Sequence, residues 1–176
     1  MNIFVLSLSG CPIESARMHC DQHLHKMILE SAQMLSTALP ILGIASSWLY
    51  KPAYEKHPCT KWVAASVDNA HWLCILASEL ENIRQELGHP FHSSSDVIAY
   101  AKDALDFDYP LASQEMVELS SFVFAGPSHL ALNNKLSVPQ KYQAYYKYKH
   151  KQWLDKGRGM SYKGRPIPSF MREILS

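Results

Sequence analysis

Long apolar runs are missing from this sequence, and none approaches the roughly 18 consecutive apolar residues that a membrane-spanning helix needs. The first ten residues are mostly apolar, but no basic segment precedes them and the stretch is short, unlike a secretory signal peptide. We therefore expect a cytoplasmic protein that has no membrane partner.

Clustered cysteines are missing as well. The four cysteines are Cys11, Cys20, Cys59 and Cys74, and no two of them form a C-x-x-C pair. Such pairs supply the ligands of many structural zinc sites, so a site of that kind is not expected. Cys20 and Cys74 lie in apolar, helix-like patterns, where a free cysteine is usually a small core residue. We predict that both are buried.

A strong charge of either sign is also absent, since 17 Lys and Arg residues oppose 16 Asp and Glu residues. The formal net charge of +1 neither requires nor excludes a nucleic-acid partner, which depends on how the charges are distributed. Hydrophobic residues make up 47% of the chain, which is enough for a core and argues against general disorder. At 176 residues, we expect one domain, 1–176, and a monomer.

Helical periodicity is pronounced in this sequence. Apolar residues recur at helical spacing over most of its length, with Pro and Gly near the boundaries. The pattern predicts a mainly α, single compact helical domain with about five helices and a short N-terminal extended segment over 2–8. The last segment, 157–176, is a basic tail rich in Gly and Pro. The predicted helices span 13–39, 58–87, 96–107, 113–124 and 139–156.

A line of polar residues runs along the first predicted helix. At about 100° per residue, its members fall within about 40° of its first residue on the helical wheel. Apolar residues flank the line on both sides, whereas an ordinary surface helix has one broad polar face. The pattern is typical of a helix that lines a polar pocket, although a solvated Lys–Glu pair with two incidental histidines also fits. The polar line consists of His19, His23, Lys26, Glu30 and Gln33.

Within the polar line, Lys26 and Glu30 stand at i, i+4 and can touch on one face of a helix. A carboxylate beside a Lys and a His in a partly dry cleft has a pKa that burial or neighbouring cations shift. Such a group suits general acid–base catalysis or the electrostatic stabilisation of a transition state. Glu30 and Lys26 are therefore candidate catalytic residues.

Other histidines stand at turns. His57 precedes Pro58 at the start of the second long predicted helix, where it either caps backbone N–H groups or faces a ligand bound there. His89 and His92 flank a turn and suit local hydrogen bonds, while His92 is also a candidate substrate-binding residue.

A metal site is conceivable because His19 and His23 stand at i, i+4, the spacing of a helical metal-binding pair. The chain has no H-E-x-x-H motif, however, and lacks the clustered cysteines that would complete a structural site. We predict that the protein binds no metal and no cofactor. A metal-dependent enzyme remains the alternative.

Basic and aromatic residues are interleaved from 141 to 163. Basic groups neutralise phosphates and aromatic rings stack on unpaired bases, so the segment suits nucleic-acid binding. An amphipathic helix with aromatics in the core and lysines in solvent explains the pattern equally well. The candidate nucleic-acid-binding residues are Lys149, Lys151, Arg158 and Lys163.

The block CDQHLHKMILESAQMLSTAL, followed by EKHPCTKW and a helix, resembles a family of small phage and bacterial proteins. Its bacterial members are described as pyrimidine-dimer DNA glycosylases, in which Lys, Glu and Gln-x-Leu on one helix precede an Asn-His-Pro turn and an early Trp. A phage branch without a settled activity extends the match through HPFHSSSDVI, YQAYYKYKHK and GRPIPSFM. The matching positions of the glycosylase pattern are Lys26, Glu30, Gln33, Leu35, His57, Pro58 and Trp62.

The resemblance implies an enzyme that acts on a DNA base or nucleotide. Glu30 would stabilise positive charge on the sugar or move protons, and Lys26 would assist it or act as the amine nucleophile. His23 and His57 would line the pocket, and a flipped base would enter between the first two helices. The implied substrate-binding residues are His19, Gln33, Trp62 and His92.

Two departures from the family pattern bear on the chemistry. The described phage glycosylase uses a freed N-terminal Thr amine with a Glu on the first helix, whereas this chain begins Met1-Asn2. The imine-forming group would then be the Met1 amine or Lys26. Lys56 also stands where an Asn usually precedes the His-Pro pair. A nucleic-acid-binding protein without chemistry is the second interpretation of the sequence.

Overall fold

The structure, a computed structural model that describes residues 1–108 and 120–175, is mainly helical, and it has no strand within those ranges. The mainly α class is therefore confirmed, although several helices are short and more numerous than predicted. The helices are α1 (Pro12–Arg17), α2 (Asp21–Ile41), α3 (Pro58–Val63), α4 (Val67–Glu86), α5 (Ser95–Asp108), α6 (Ser128–Ala131), α7 (Val138–Asp155) and α8 (Arg172–Leu175), with a 3-10 turn at Ser169–Met171.

The prediction of one helix over 13–39 is wrong, because the helix is interrupted between α1 and α2. His19 N donates to the Ala16 carbonyl, and Cys20 is extended with φ −72° and ψ 158°, which restarts the helix at Asp21. The far end also differs from the prediction, since α2 continues through Pro40 to Ile41. His19 therefore lies in the turn before α2, and its predicted place on the helical wheel does not hold.

The helix predicted over 58–87 is also two helices. Residues 64–66 separate α3 from α4, and the Ser66 hydroxyl accepts a hydrogen bond from Asn69 N, which caps the start of α4. The predicted end at 87 is confirmed to within one residue, since α4 ends at Glu86 and Gly88 follows with a φ of +77°, a conformation that suits glycine. The prediction for α5 agrees to within one residue at each end.

The helix predicted over 113–124 lies partly outside the described residues. Residues 120–124 have no regular secondary structure, so the end of that prediction is wrong. Phe122 in this stretch packs its ring 5.3 Å from the rings of both Trp62 and Trp72. Burial of this aromatic, rather than helical hydrogen bonding, holds the segment against α3 and α4.

The helix α7 begins as the sequence suggests. Ser137 and Gln140 form a reciprocal capping box, with Ser137 Oγ accepting from Gln140 N and Gln140 Oε1 accepting from Ser137 N. Pro139 occupies the first turn, where its missing N–H leaves no carbonyl unpaired. Tyr142 and Tyr146 face inward from α7 and are fully buried.

The core forms where α2 packs on α4 and α5 and where α1 packs on α4. The N-terminal segment forms an arm without regular secondary structure that lies in this core, since Ile3, Phe4 and Leu6 are buried. Ser15 Oγ accepts hydrogen bonds from Leu6 N and Ser7 N, so the arm lies on the start of α1.

The four cysteines are free, and three of them are buried as small core residues. Cys20 and Cys74 are buried as predicted, and Cys59 is buried with them. Cys11, which precedes α1, is half-buried.

The tail is bound to the start of α2. The Asp21 carboxylate accepts hydrogen bonds from Arg165 Nη2 at 2.6 Å, Ser161 Oγ at 2.7 Å and Lys163 N at 2.9 Å. Burial raises the pKa of Asp21, but the bonds from Lys163, Arg165 and Ser161 outweigh it and lower the pKa overall. This part of the basic tail is therefore docked on the helical domain.

Candidate functional site

Two amines flank the carboxylate of Glu30. The Met1 ammonium nitrogen lies 3.7 Å from Oε2, and Lys26 Nζ lies 3.5 Å from Oε1. The Glu30 side chain is 12% exposed, whereas that of Lys26 is 58% exposed. The Met1 side chain is only 2% exposed while the residue as a whole is half-buried, so its remaining exposed surface belongs to main-chain atoms.

His57 faces the same group from the start of α3. Its Nδ1 accepts a hydrogen bond from Cys59 N at 3.2 Å, so it caps that helix. Burial lowers the pKa of His57, the Met1 ammonium lowers it further, and Glu30 acts in the opposite direction. The ring is therefore neutral at pH 7, with the Met1 ammonium and Glu30 within electrostatic reach. The capping role considered from the sequence is therefore confirmed, and the ligand-facing role stays a prediction.

Lys149 enters this group from α7, and the sequence patterns did not place it there. Its Nζ lies 5.4 Å from the centre of the Phe4 ring and 5.7 Å from that of Trp153. Burial lowers the pKa of Lys149, the positive charge of Lys26 lowers it further, and Glu30 opposes both. Among the four residues predicted to bind nucleic acid, Lys149 is thus the one that belongs to the Glu30 group. Its position depends on the packing of α7 against the N-terminal arm.

Met1, Lys26, Glu30, His57 and Lys149 together form what we call the Glu30 site. It draws on the N-terminus, α2, α3 and α7, which are far apart in the chain. One carboxylate, two amines in contact with it and a neutral imidazole can exchange protons and stabilise a positively charged intermediate. An unprotonated amine in such a group can also attack an electrophilic carbon.

The pocket-lining roles predicted for His19 and His23 do not fit the structure, because both side chains are fully buried. His19 Nδ1 lies 2.8 Å from the Ser15 carbonyl oxygen. His23 Nδ1 lies 3.3 Å from the hydroxyl of Tyr146, and the Phe4 ring packs on it. Burial lowers the pKa of His19 to about 4 and that of His23 well below its usual value. Both rings are therefore neutral parts of the core.

His150 joins these two rings in a buried cluster that sequence reasoning missed. Its Nδ1 lies 2.6 Å from the Tyr146 carbonyl oxygen, and its Nε2 lies 3.2 Å from Cys20 Sγ. Burial lowers the pKa of His150 to about 4. The Nε2 atoms of His19 and His23 are buried and have no hydrogen-bond partner within the described ranges. We call His19, His23 and His150, with Cys20 and Tyr146, the histidine cluster.

A metal centre is not apparent in this cluster. Across residues 1–108 and 120–175, no group of three or more His, Cys, Asp or Glu residues is arranged to hold a metal ion. The metal alternative based on His19 and His23 therefore has no third ligand in that part of the chain. The absence of a bound metal or cofactor stays a prediction.

Trp62 and His92 do not join the Glu30 site. Trp62 is 6% exposed and packs between Trp72 and Phe122, which leaves little of its ring for a substrate. His92 Nδ1 accepts from Ser94 N, and its ring lies 4.2 Å from that of His25. His25 is about 140° around α2 from Glu30, so His92 packs on the opposite side of the helix. The structure thus places neither residue in the Glu30 site, and their substrate-binding roles stay predictions.

Gln33 keeps the position that the helical pattern gave it. It lies on the Glu30 side of α2 and is half-buried, and its main-chain oxygen accepts a hydrogen bond from Thr37 Oγ1 at 3.0 Å. Its role in substrate binding stays a prediction.

The remaining basic residues do not form one stripe with Lys149. Lys151 is about 200° around α7 from Lys149, and its Nζ lies 3.6 Å from Asp155 Oδ1. Arg158 and Lys163 are exposed beyond the end of α7. Their role in nucleic-acid binding stays a prediction.

Comparisons of the chain with family models, with curated proteins and with solved structures find no match. Within residues 1–108 and 120–175, no helix is both long and apolar enough to span a bilayer. The geometry of the Glu30 site is therefore the basis for assigning a function.

Proposed function

We propose that this protein processes a DNA base or nucleotide by breaking its N-glycosidic bond, in the manner of a DNA glycosylase. The observation that carries the proposal is the Met1 amine 3.7 Å from Glu30, with Lys26 on the other oxygen of the same carboxylate. A helical Glu beside an N-terminal amine is the pairing that the family resemblance implies. The proposal makes DNA or a nucleotide the partner of a monomer in the cytoplasm, the host's cytoplasm if the gene is phage-encoded.

The chemistry would begin with attack of an unprotonated amine on the anomeric carbon of the sugar. The bond between that carbon and the base breaks, and the base leaves with the electron pair and takes up a proton. The attached nitrogen then carries two protons and gives up both, one balancing the proton taken up by the base and the other passing to the ring oxygen as the sugar opens, which leaves an imine. Glu30 would accept the proton from nitrogen and stabilise positive charge on the sugar.

Of the two amines in contact with Glu30, that of Met1 suits the nucleophile better. Its side chain is buried, which holds the amine in place, whereas the Lys26 side chain is 58% exposed and, within the described ranges, is held only by its pair with Glu30. A nucleophile held in place loses less entropy on the way to the transition state. Lys26 would then be the electrostatic partner of Glu30, and neutral His57 would accept hydrogen bonds from the sugar or from water.

Borohydride trapping tests the proposal. The protein is incubated with oligonucleotides that contain abasic sites and with a panel of modified bases and nucleotides, then reduced and digested with trypsin. An adduct is expected on the tryptic peptide that begins at Met1. Trypsin should still cleave after Lys26, because that side chain is not modified. Intact-mass measurement beforehand shows whether Met1 and its free amine are present.

Three variants sharpen the result. Glu30→Gln should abolish the adduct, Lys26→Gln should slow its formation, and Glu86→Gln, an exposed control, should change nothing. An adduct at Lys26 would instead make that side chain the nucleophile. If no adduct forms and no base is released from any substrate of the panel, glycosidic chemistry is rejected.

A further inference from the structure

The loop between α2 and α3, residues 42–57, is fixed to the body of the protein. Tyr50 N donates to Ser36 Oγ at 3.0 Å, and the Thr37 hydroxyl is within hydrogen-bond distance of both the N–H and the carbonyl of Ala53. Both anchors are hydroxyls on α2. The backbone of this loop is therefore held in one place rather than free to collapse over its own side chains.

Two large aromatic side chains nevertheless project from the loop into solvent. Trp48 is 65% exposed and Tyr54 is 64% exposed, whereas Trp62 and Trp72 are buried. Tyr54 also has a φ of +56°, which is strained for a residue with a side chain. Observed strain of this kind is found preferentially at functional sites. The loop keeps its rings exposed at some cost to stability.

The charges beside these rings are mainly positive. Lys51 and Lys56 are exposed, and neither has an ion-pair partner within residues 1–108 and 120–175. Glu55 is the one carboxylate between them in the sequence. Exposed aromatic rings alternating with free lysines match an unpaired nucleic-acid strand, whose bases stack and whose phosphates need cations.

The loop also leads directly into the Glu30 site. His57 follows Lys56, and its main-chain N donates to the Tyr54 carbonyl at 2.9 Å. Tyr54 and Lys56 are thus within three residues of His57, whose pKa is affected by both Glu30 and the Met1 ammonium. A strand bound on the loop would lie next to the proposed chemistry.

We propose that Trp48 and Tyr54 stack on unpaired bases while Lys51 and Lys56 neutralise the adjoining phosphates. The loop would hold the single-stranded or unstacked part of the substrate whose base enters the Glu30 site. This inference rests on the proposed function for the identity of that substrate.

Fluorescence anisotropy with a labelled oligothymidylate and with a matched duplex tests the loop. The Trp48→Ala and Tyr54→Ala variants should each weaken single-strand binding by roughly five- to 150-fold, the effect of removing one ring from a stacked base. Trp48→Phe should restore most of the affinity, since a ring is again present. Phe91→Ala removes an equally exposed ring elsewhere and is the control.

The lysines are tested by the salt dependence. Replacing Lys51 and Lys56 by Ala should lower the log–log slope by about 0.7 for each phosphate of a single strand that is no longer neutralised. Replacing Lys102 and Lys135, two exposed lysines elsewhere, should leave the slope unchanged. A slope that stays the same without Lys51 and Lys56 but falls when Lys151 and Arg158 are replaced would place the phosphates on the C-terminal segment and overturn the proposal.

These experiments distinguish a failure of the loop proposal from a failure of the glycosidic proposal. Loss of affinity in the loop variants without any borohydride adduct in the wild type would support the loop and reject the glycosidic proposal. An adduct that forms equally well in Trp48→Ala and Tyr54→Ala would reject the loop and support the chemistry. Absence of oligonucleotide binding, with self-association that Trp48→Ala removes, would assign the surface to a protein partner and also overturn the inference.

Discussion

The centre of the Phe4 ring lies 5.1 Å from that of His23, and the same ring approaches Lys149 Nζ to 5.4 Å. Phe4 therefore touches both the histidine cluster and the Glu30 site. The residue has a φ of +30°, so the backbone turns sharply there to bury the ring. Met1 is three residues from Phe4 in the sequence, so the ring that packs on the histidine cluster lies close in the chain to the Met1 amine.

Mild acid should destabilise the protein through the histidine cluster. The folded pKa values of His19 and His150 are about 4, below the usual 6.5, so between these values the unfolded chain binds more protons. Stability is then fully present above pH 6.5 and falls as the pH drops towards 4. Each histidine contributes a slope of up to about 1.4 kcal/mol per pH unit. Urea unfolding at several values from pH 4.5 to 7 measures it.

Titration of the Asp21 carboxylate does not contribute to the slope in this pH window. Its pKa is lowered from 3.8, so its contribution to stability is lost only below the window used. His150→Gln should reduce the slope, whereas His129→Ala, at an exposed position, should leave it unchanged. A pH-independent free energy of unfolding across the window would contradict the burial of neutral histidines.

Glu30→Gln should abolish the proposed glycosidic activity but change the free energy of unfolding by only about 1 kcal/mol. The amide keeps the shape of the side chain and loses the charge that interacts with Met1 and Lys26, and pairs with an exposed partner contribute little. Activity against the substrate that the trapping experiment identifies and thermal unfolding are measured together. A fully active, folded Gln variant would remove Glu30 from the mechanism.

Arg165→Ala should destabilise the protein by about 2–4 kcal/mol, since it leaves Asp21 in a shielded position without its cation. The guanidinium also donates to the main-chain oxygens of Arg17 and His19, so it fixes the turn between α1 and α2. Urea unfolding measures the loss. The exposed Arg158→Ala should stay within about 0.5 kcal/mol, and equal effects of the two variants would mean that the tail is not docked.

Replacing Trp62 and replacing Trp48 should have very different effects on stability. Trp62→Ala should cost about 3–5 kcal/mol of stability because it leaves a cavity against Trp72 and Phe122. Trp48→Ala should change stability by about 0.5 kcal/mol or less, since its ring is in solvent. Thermal unfolding of both variants distinguishes a core ring from a surface ring. A Trp62→Ala protein as stable as the wild type would contradict the core role of that ring.

Local signals predicted the parts of this structure that depend on near neighbours. The i, i+4 spacing of Lys26 and Glu30 placed their side chains together, and Pro139 and Gly88 marked helix ends by their own chemistry. These features involve residues a few positions apart, so a single sequence contains the information needed.

The break before α2 could not be predicted in that way. No Pro or Gly interrupts the stretch, and the capping residue Cys20 offers no side-chain cap. The first N–H of the helix, that of Asp21, donates instead to the carbonyl of Ser161, far along the chain. The position of Lys149 in the Glu30 site likewise depends on α7 meeting the N-terminal arm. Tertiary contacts decided both outcomes.

The buried thiols have a practical consequence. Burial raises the pKa of Cys59 to about 11 and also raises the pKa of Cys20 and Cys74, so none of the three reacts readily in the native state. Cys11 alone is open to a thiol reagent at the outset. Labelling of the other three then requires local opening at the start of α2, in α3 or in the middle of α4. Mass spectrometry of timed labelling therefore measures, in one unmodified protein, how often each of these places opens.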